Sequence, residues 1–143
     1  MDYCVDANIF VNALSADENF PSSTDFLRHC LQTRSNLHLP SLVQFEVMAA
    51  LQRKRQMNLL SDKLLQNAQR LFFDLPILLT WRQDLIQLTF EIQNESGLKS
   101  FYDASYLALA KMKNIPLITH DKEILKKGKA SHQSLYTPQS ALA

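Results

Sequence analysis

The chain has 143 residues, 46% of them hydrophobic and 20% charged, and a net charge of +1. These figures describe one globular domain, residues 1–143, able to bury roughly 70% of the unfolded chain's surface, and they exclude disordered, collagenous and coiled-coil classes. Two glycines, Gly97 and Gly128, are too far apart for a dinucleotide-binding or phosphate-binding glycine loop, and the near-neutral charge gives no bulk argument for nucleic acid.

In chain order, Tyr3-Cys4-Val5 reads as a strand and helical periodicity follows from Ala7 to Leu14. Ser22, Ser23 and Thr24 offer N-caps for a helix ending near Thr33. Leu37-His38-Leu39 is a short strand stopped by Pro40. Ser41 with Gln44 has the spacing of a capping box for a helix running to about Arg55. Ser61 begins a helix with Leu64, Leu65, Ala68, Leu71 and Phe72 on one face. Ile77 to Thr80 is a strand. A helix from about Asp84 turns Leu85, Leu88 and Ile92 inward and ends at Gly97. Ser100 starts a helix to Lys113, Pro116 opens the strand Leu117-Ile118-Thr119, and a short helix runs from Lys122 to Lys127 against Gly128. Ser134 to Thr137 forms the last strand. Strands alternating with helices predict an α/β fold with a parallel sheet covered on both faces. In such sheets, sites form beyond the carboxyl ends of the strands.

Two cysteines, Cys4 and Cys30, lie in apolar stretches. They make no disulfide framework and no four-cysteine zinc site, which suits a reducing, cytoplasmic location. No apolar run approaches the roughly 18 residues of a membrane helix, and the first residues lack the basic and apolar regions of a signal peptide. The four histidines, at 29, 38, 120 and 132, lack zinc-ligand spacing, and no G-x-S-x-G elbow is present.

The chemistry is in the acids. Asp6 follows the first strand and Asp121 follows the strand ending at Thr119. Asp103 lies three residues into the helix begun by Ser100. Glu46 stands among Leu42, Val43, Ala49 and Ala50. Singly, Asp6 and Asp121 read as N-caps and Asp103 as a first-turn acid that suits the helix dipole. A carboxylate in the apolar face of a helix is costly unless paired or metal-bound, so Glu46 asks for more. Jointly the four can project to one end of the sheet. There they would repel one another, a conflict that a hard divalent cation removes. Oxygen-only donors point to Mg²⁺ or Mn²⁺, and such a centre suits phosphodiester hydrolysis.

At these residues the chain resembles the PIN-domain ribonucleases, especially the VapC-type toxins of toxin–antitoxin pairs. Tyr3-Cys4-Val5-Asp6-Ala7-Asn8-Ile9 is similar to the family's first acidic motif, and Ser41 to Val47 to its glutamate helix. Tyr102 to Ala110 resembles the third motif, and Pro116 to Lys122, with Thr119-His120-Asp121, the closing strand. The resemblance implies a five-stranded parallel sheet flanked by helices and Mg²⁺- or Mn²⁺-dependent endoribonuclease activity. It also implies a homodimer and inhibition by a cognate antitoxin protein. Asp6, Glu46, Asp103 and Asp121 would be the acidic site and metal ligands, with Asn8 and Thr119 as polar supports. Ala7 departs from the family, where Thr or Ser is frequent. A stand-alone PIN nuclease in RNA processing and a non-catalytic PIN-like scaffold are the alternatives. With the four acids set aside, 15 basic residues face ten acidic ones. The lysines of 111–129 and Arg53-Lys54-Arg55 are then candidate phosphate contacts. Trp81 and the Phe72-Phe73 pair are expected in the core or a dimer face.

Overall fold

The computed structural model describes residues 1–18 and 20–143. Five strands, β1 (Tyr3–Val5), β2 (Leu37–Pro40), β3 (Ile77–Thr80), β4 (Leu117–Ile118) and β5 (Leu135–Tyr136), form one parallel sheet in the order β3-β2-β1-β4-β5. Cys4 lies opposite His38 of β2 on one side and Leu117 of β4 on the other. Helices α1 (Ala7–Leu14), α2 (Pro21–Gln32), α3 (Val43–Gln56) and α4 (Asp62–Asp74) pack together. Helices α5 (Gln83–Ser96) and α6 (Phe101–Lys113) form a second layer, with α6 against β1, β2 and β4. Short helices α7 (Lys122–Lys127) and α8 (Pro138–Ala141) close the chain. This is the expected α/β architecture.

The strand order places the site. From β1 the chain moves outward to β2 and β3, then crosses back to place β4 on the other side of β1. Connections leaving β1 and β4 therefore diverge, opening a crevice at the carboxyl ends of these two central strands. Asp6 and Thr119 are the residues that follow them. The floor beneath is dry: Cys4, Val5, Leu39, Leu117 and Ile118 are fully buried. Phe10 meets Phe72 edge to face at 5.3 Å, and Tyr3 meets Phe26 at 5.1 Å, joining α1 and β1 to the outer helices. Each buried aromatic ring contributes roughly 1.5–3 kcal/mol.

Four local readings change. Helix α2 begins at Pro21, whose fixed φ suits the first turn, so Ser22 and Ser23 lie inside it. Helix α3 begins at Val43 without a side-chain cap, because the Ser41 N–H donates to the Thr80 carbonyl and prolongs the sheet instead. In α4, Leu65, Ala68 and Phe72 are buried while Leu64 and Leu71 stay exposed, so the apolar stripe is wider than the buried one. Helix α8 is additional, nucleated by Pro138 and a reciprocal capping box between Thr137 and Ser140. Other signals hold as read. Gly97 ends α5 in the left-handed conformation at φ 73°, and Ser61 and Ser100 cap α4 and α6 through their side chains. Both cysteines are buried free thiols. Among the described residues no helix is long and apolar enough to cross a membrane.

Candidate active site

Asp6 caps α1 and is buried, 4% exposed. Its Oδ1 accepts the Asn8 backbone N–H at 3.2 Å and its Oδ2 accepts the Thr119 hydroxyl at 2.7 Å. Burial pushes this carboxyl up, its hydrogen bonds pull it down, and nearby Asp121 raises it again. The buried Thr119 hydroxyl also accepts the Asp121 N–H at 2.9 Å, so one side chain joins the ends of β1 and β4. The expected contact from Asn8 to Asp6 is made by its backbone, a role any residue with an N–H would fill.

Asp121 caps α7 with a single oxygen: Oδ1 accepts from the N–H groups of Glu123 at 2.8 Å and Ile124 at 3.1 Å. Its other oxygen stays outside the cap. Asp103 enters from the first turn of α6, where Ser100 Oγ accepts its N–H at 3.2 Å. Burial raises its carboxyl to about 6, reinforced by the negative charges of Asp6, Asp121, Glu46 and Glu123. Glu46 is half-buried on α3, and its Oε2 accepts the Tyr106 hydroxyl at 3.2 Å. Burial raises Glu46 as well, with Tyr106 opposing and Asp6 adding to the rise. A phenol is thus the partner for the acid that the helix face made costly.

Asp103 thus feels the charges of Asp6, Glu46 and Asp121, and Asp6 that of Asp121, so the four carboxylates lie near one another. Among the described residues, no three His, Cys, Asp or Glu side chains converge into a finished metal cage. Mg²⁺ does not require one: it keeps several waters and takes one or two carboxylates together with substrate phosphate. Mutually repelling, oxygen-only donors fit such a hard cation, and Asp6, Glu46, Asp103 and Asp121 are the residues that would hold it.

A shallower cleft on one flank is lined by Asn8, Asn12, Glu18, Phe20, His120 and Asp121. His120 is tethered there, its Nε2 2.8 Å from Ser23 Oγ and its ring 5.3 Å from that of Phe20. Burial lowers its pKa. The basic clusters need correction as RNA contacts. Lys54 is bound by Asp17 at 2.7 Å and Glu18 at 3.3 Å, Arg55 by Asp62 at 3.1 Å, and Lys127 by Glu123 at 2.8 Å. Helix α6 carries Lys111 and Lys113 to the opposite end of the sheet, about 12 Å and about 15 Å along its axis from Asp103. Arg53, Lys122, Lys126 and Lys129 remain exposed. The aromatic pair also divides, Phe72 buried and Phe73 exposed, while Trp81 is 72% exposed and outside the core. Tyr106 escaped the sequence reading. Its signal was its place three residues after Asp103, on the same helix face.

A family model described as "PIN domain" matches residues 3–130. Solved structures share the fold at low identity. PAE2754 from Pyrobaculum aerophilum is 20% identical with a TM-score of 0.66, covering 99% of this chain and 93% of its own. VapBC2 from Rickettsia felis, solved bound to a DNA fragment from its promoter, is 16% identical with a TM-score of 0.68, covering 95% and 97%. FitAcB from Neisseria gonorrhoeae is 16% identical with a TM-score of 0.68, covering 96% and 98%. No curated protein matches the sequence closely enough to count as a relative. With a match spanning most of the chain, and acids gathered where β1 and β4 end, the chain belongs to the PIN-domain family.

Proposed function

We propose that this protein is a Mg²⁺- or Mn²⁺-dependent endoribonuclease and the toxin of a VapBC-type toxin–antitoxin system, acting in the cytoplasm as one PIN domain. PIN domains are generally nucleases, which supports hydrolysis of nucleic acid. The observation that carries the reading is the grouping of Asp6, Glu46, Asp103 and Asp121 near one another, where burial first and the neighbouring negative charges second raise Asp103 to about 6. Asp6 and Asp103 would hold the cation, with Glu46 and Asp121 ligating it directly or through water. The metal, when bound, supplies a water of lowered pKa and charge neutralisation at the phosphate. Thr119 keeps the Asp6 carboxylate aligned, and Glu46 and Asp121 orient the attacking water and accept its hydrogen bonds. In-line attack at phosphorus with departure of the 3′-oxygen leaves a 5′-phosphate and a 3′-hydroxyl.

The antitoxin is proposed because structural neighbours include a toxin–antitoxin complex from Klebsiella pneumoniae and VapBC2. An apolar groove of about 340 Å³ between α1, α2 and α4, lined by Leu14, Leu27, Leu31 and Leu71, has the shape and chemistry for an amphipathic antitoxin helix. A homodimer is supported by β3, an edge strand with Leu78 and Leu79 exposed beside Phe73 and Trp81, since bare apolar edges call for a cover.

The test is cleavage of total RNA by purified protein with Mg²⁺ or Mn²⁺, with EDTA and Asp103→Asn as controls and product ends mapped. Discrete metal-dependent cuts with 5′-phosphate ends, lost in the variant, are expected. Cutting that persists in EDTA or in the variant refutes the mechanism. No cutting of any RNA by folded protein refutes the activity.

A further inference from the structure

No cap or backbone N–H holds the Glu46 carboxylate among the described residues; its hydrogen-bond partner is the Tyr106 hydroxyl. Tyr106 is 1% exposed, and its hydroxyl lies 3.3 Å from the Ala7 backbone N–H as well as 3.2 Å from Glu46 Oε2. A phenol oxygen has one hydrogen to give and lone pairs to accept with. The Ala7 N–H can only donate, and as the first amide of α1 it has no partner within the helix. It therefore takes the accepting side of the phenol, and the single hydroxyl hydrogen goes to Glu46. One oxygen atom thus ties together the start of α1 just after Asp6, the Glu46 carboxylate on α3, and the α6 face that carries Asp103. Without it Glu46 has three free side-chain torsions and the negative charges of Asp6 and Asp103 to turn away from.

We propose that Tyr106 is a positioning residue, whose hydroxyl holds the Glu46 carboxylate toward Asp6 and Asp103 and thereby sets the affinity of the acidic crevice for a divalent cation. This rests on the metal-site reading above. It reaches a residue of a different chemical type, one that touches neither metal nor substrate and acts through Glu46.

The test is Mn²⁺ binding, read as the loss of the free-ion electron paramagnetic resonance signal on titrating the full chain. Tyr106→Phe removes one oxygen and keeps the ring in its packing. Affinity is expected to fall about tenfold, as when a metal ligand's supporting hydrogen bond is removed. Glu46→Gln is expected to weaken binding at least as much, and Tyr106→Phe in the Glu46→Gln background to weaken it no further. The unpaired Ala7 N–H lowers the thermal midpoint in both backgrounds, so a structural effect is separated from the coupling. Equal Mn²⁺ affinity in Tyr106→Phe and wild type overturns the assignment, as does a Tyr106→Phe effect that persists undiminished in Glu46→Gln. A Tyr106→Phe chain that fails to fold makes Tyr106 a core residue and overturns it too. Wild-type protein that binds no Mn²⁺ instead refutes the metal-site reading itself, and this inference falls with it.

Discussion

Asp103→Asn should make the metal-free protein more stable while removing its activity. Asp103 is held at about 6 in the folded chain, against 3.8 for the ordinary side chain. The folded state therefore binds this proton more tightly than the unfolded state. Between these values the folded chain carries more protons, so stability falls as pH rises from about 4 to about 6 and is level above. At about 1.4 kcal/mol per pKa unit, the full interval amounts to about 3 kcal/mol. The side chain is partly exposed, and solvent screening reduces this to ~1 kcal/mol. The neutral asparagine has no such cost. At pH 7.5 without metal the variant should melt about 3 °C above wild type. At pH 4 the two should coincide. Saturating Mg²⁺ should then raise the wild type and leave the variant where it was, because ligand binding stabilises in proportion to occupancy. Thermal melts at pH 4 and 7.5, with EDTA or Mg²⁺, decide it. A variant no more stable at pH 7.5, or one equally favoured at pH 4, would refute the argument from burial and carboxylate repulsion at Asp103.

Thr119→Val keeps the shape of a buried side chain but removes the donor to Asp6 and the acceptor for the Asp121 N–H. Urea unfolding should show a loss of ~2–3 kcal/mol, and RNA cleavage should fall at least tenfold. Gly128 has an ordinary φ, but a Cβ there would lie 2.8 Å from Leu107 Cδ2, so Gly128→Ala should cost ~1–3 kcal/mol by overpacking, read from the denaturation midpoint. Leu79→Lys places a charge on the exposed β3 edge; light scattering should show the proposed dimer becoming a monomer, with folding intact by circular dichroism.

The elements were legible where a side chain speaks to its own backbone. Ser61, Ser100, Asp121 and Gly97 act on amides or carbonyls within a few residues, so local spacing identifies them. Ser41 misleads because its N–H goes to Thr80, a partner 39 residues away that only the sheet brings near. Leu64 and Leu71 mislead for a related reason: helical periodicity marks an apolar stripe without saying how much of it a neighbour will cover. Among the basic residues, Lys54 looks free in sequence and is bound by Asp17 and Glu18 across the fold. Tyr106 lies within a run of buried side chains, where nothing in the local pattern distinguishes a ring that fills space from one that delivers a hydroxyl to another helix.

The two readings that sequence allowed for the acids, helix caps or a metal site, are not rivals in this fold. Each strand of a parallel sheet ends where the next helix begins, so the carboxyl edge of the sheet is also an edge of helix N-termini. Asp6 caps α1, Asp121 caps α7, and Asp103 sits in the first turn of α6. Two capping acids and one first-turn acid are thereby drawn toward the crevice beside β1 and β4. The same helix ends present partial positive charge to them, which offsets part of their mutual repulsion before any cation arrives. Asp121 shows how one group serves both purposes, with Oδ1 accepting both cap bonds and its other oxygen outside the cap. Glu46 also lies in a first turn, that of α3, but α3 has no side-chain cap and Glu46 accepts no cap bond. Its side-chain hydrogen bond comes instead from another helix, through the phenol of Tyr106 on α6.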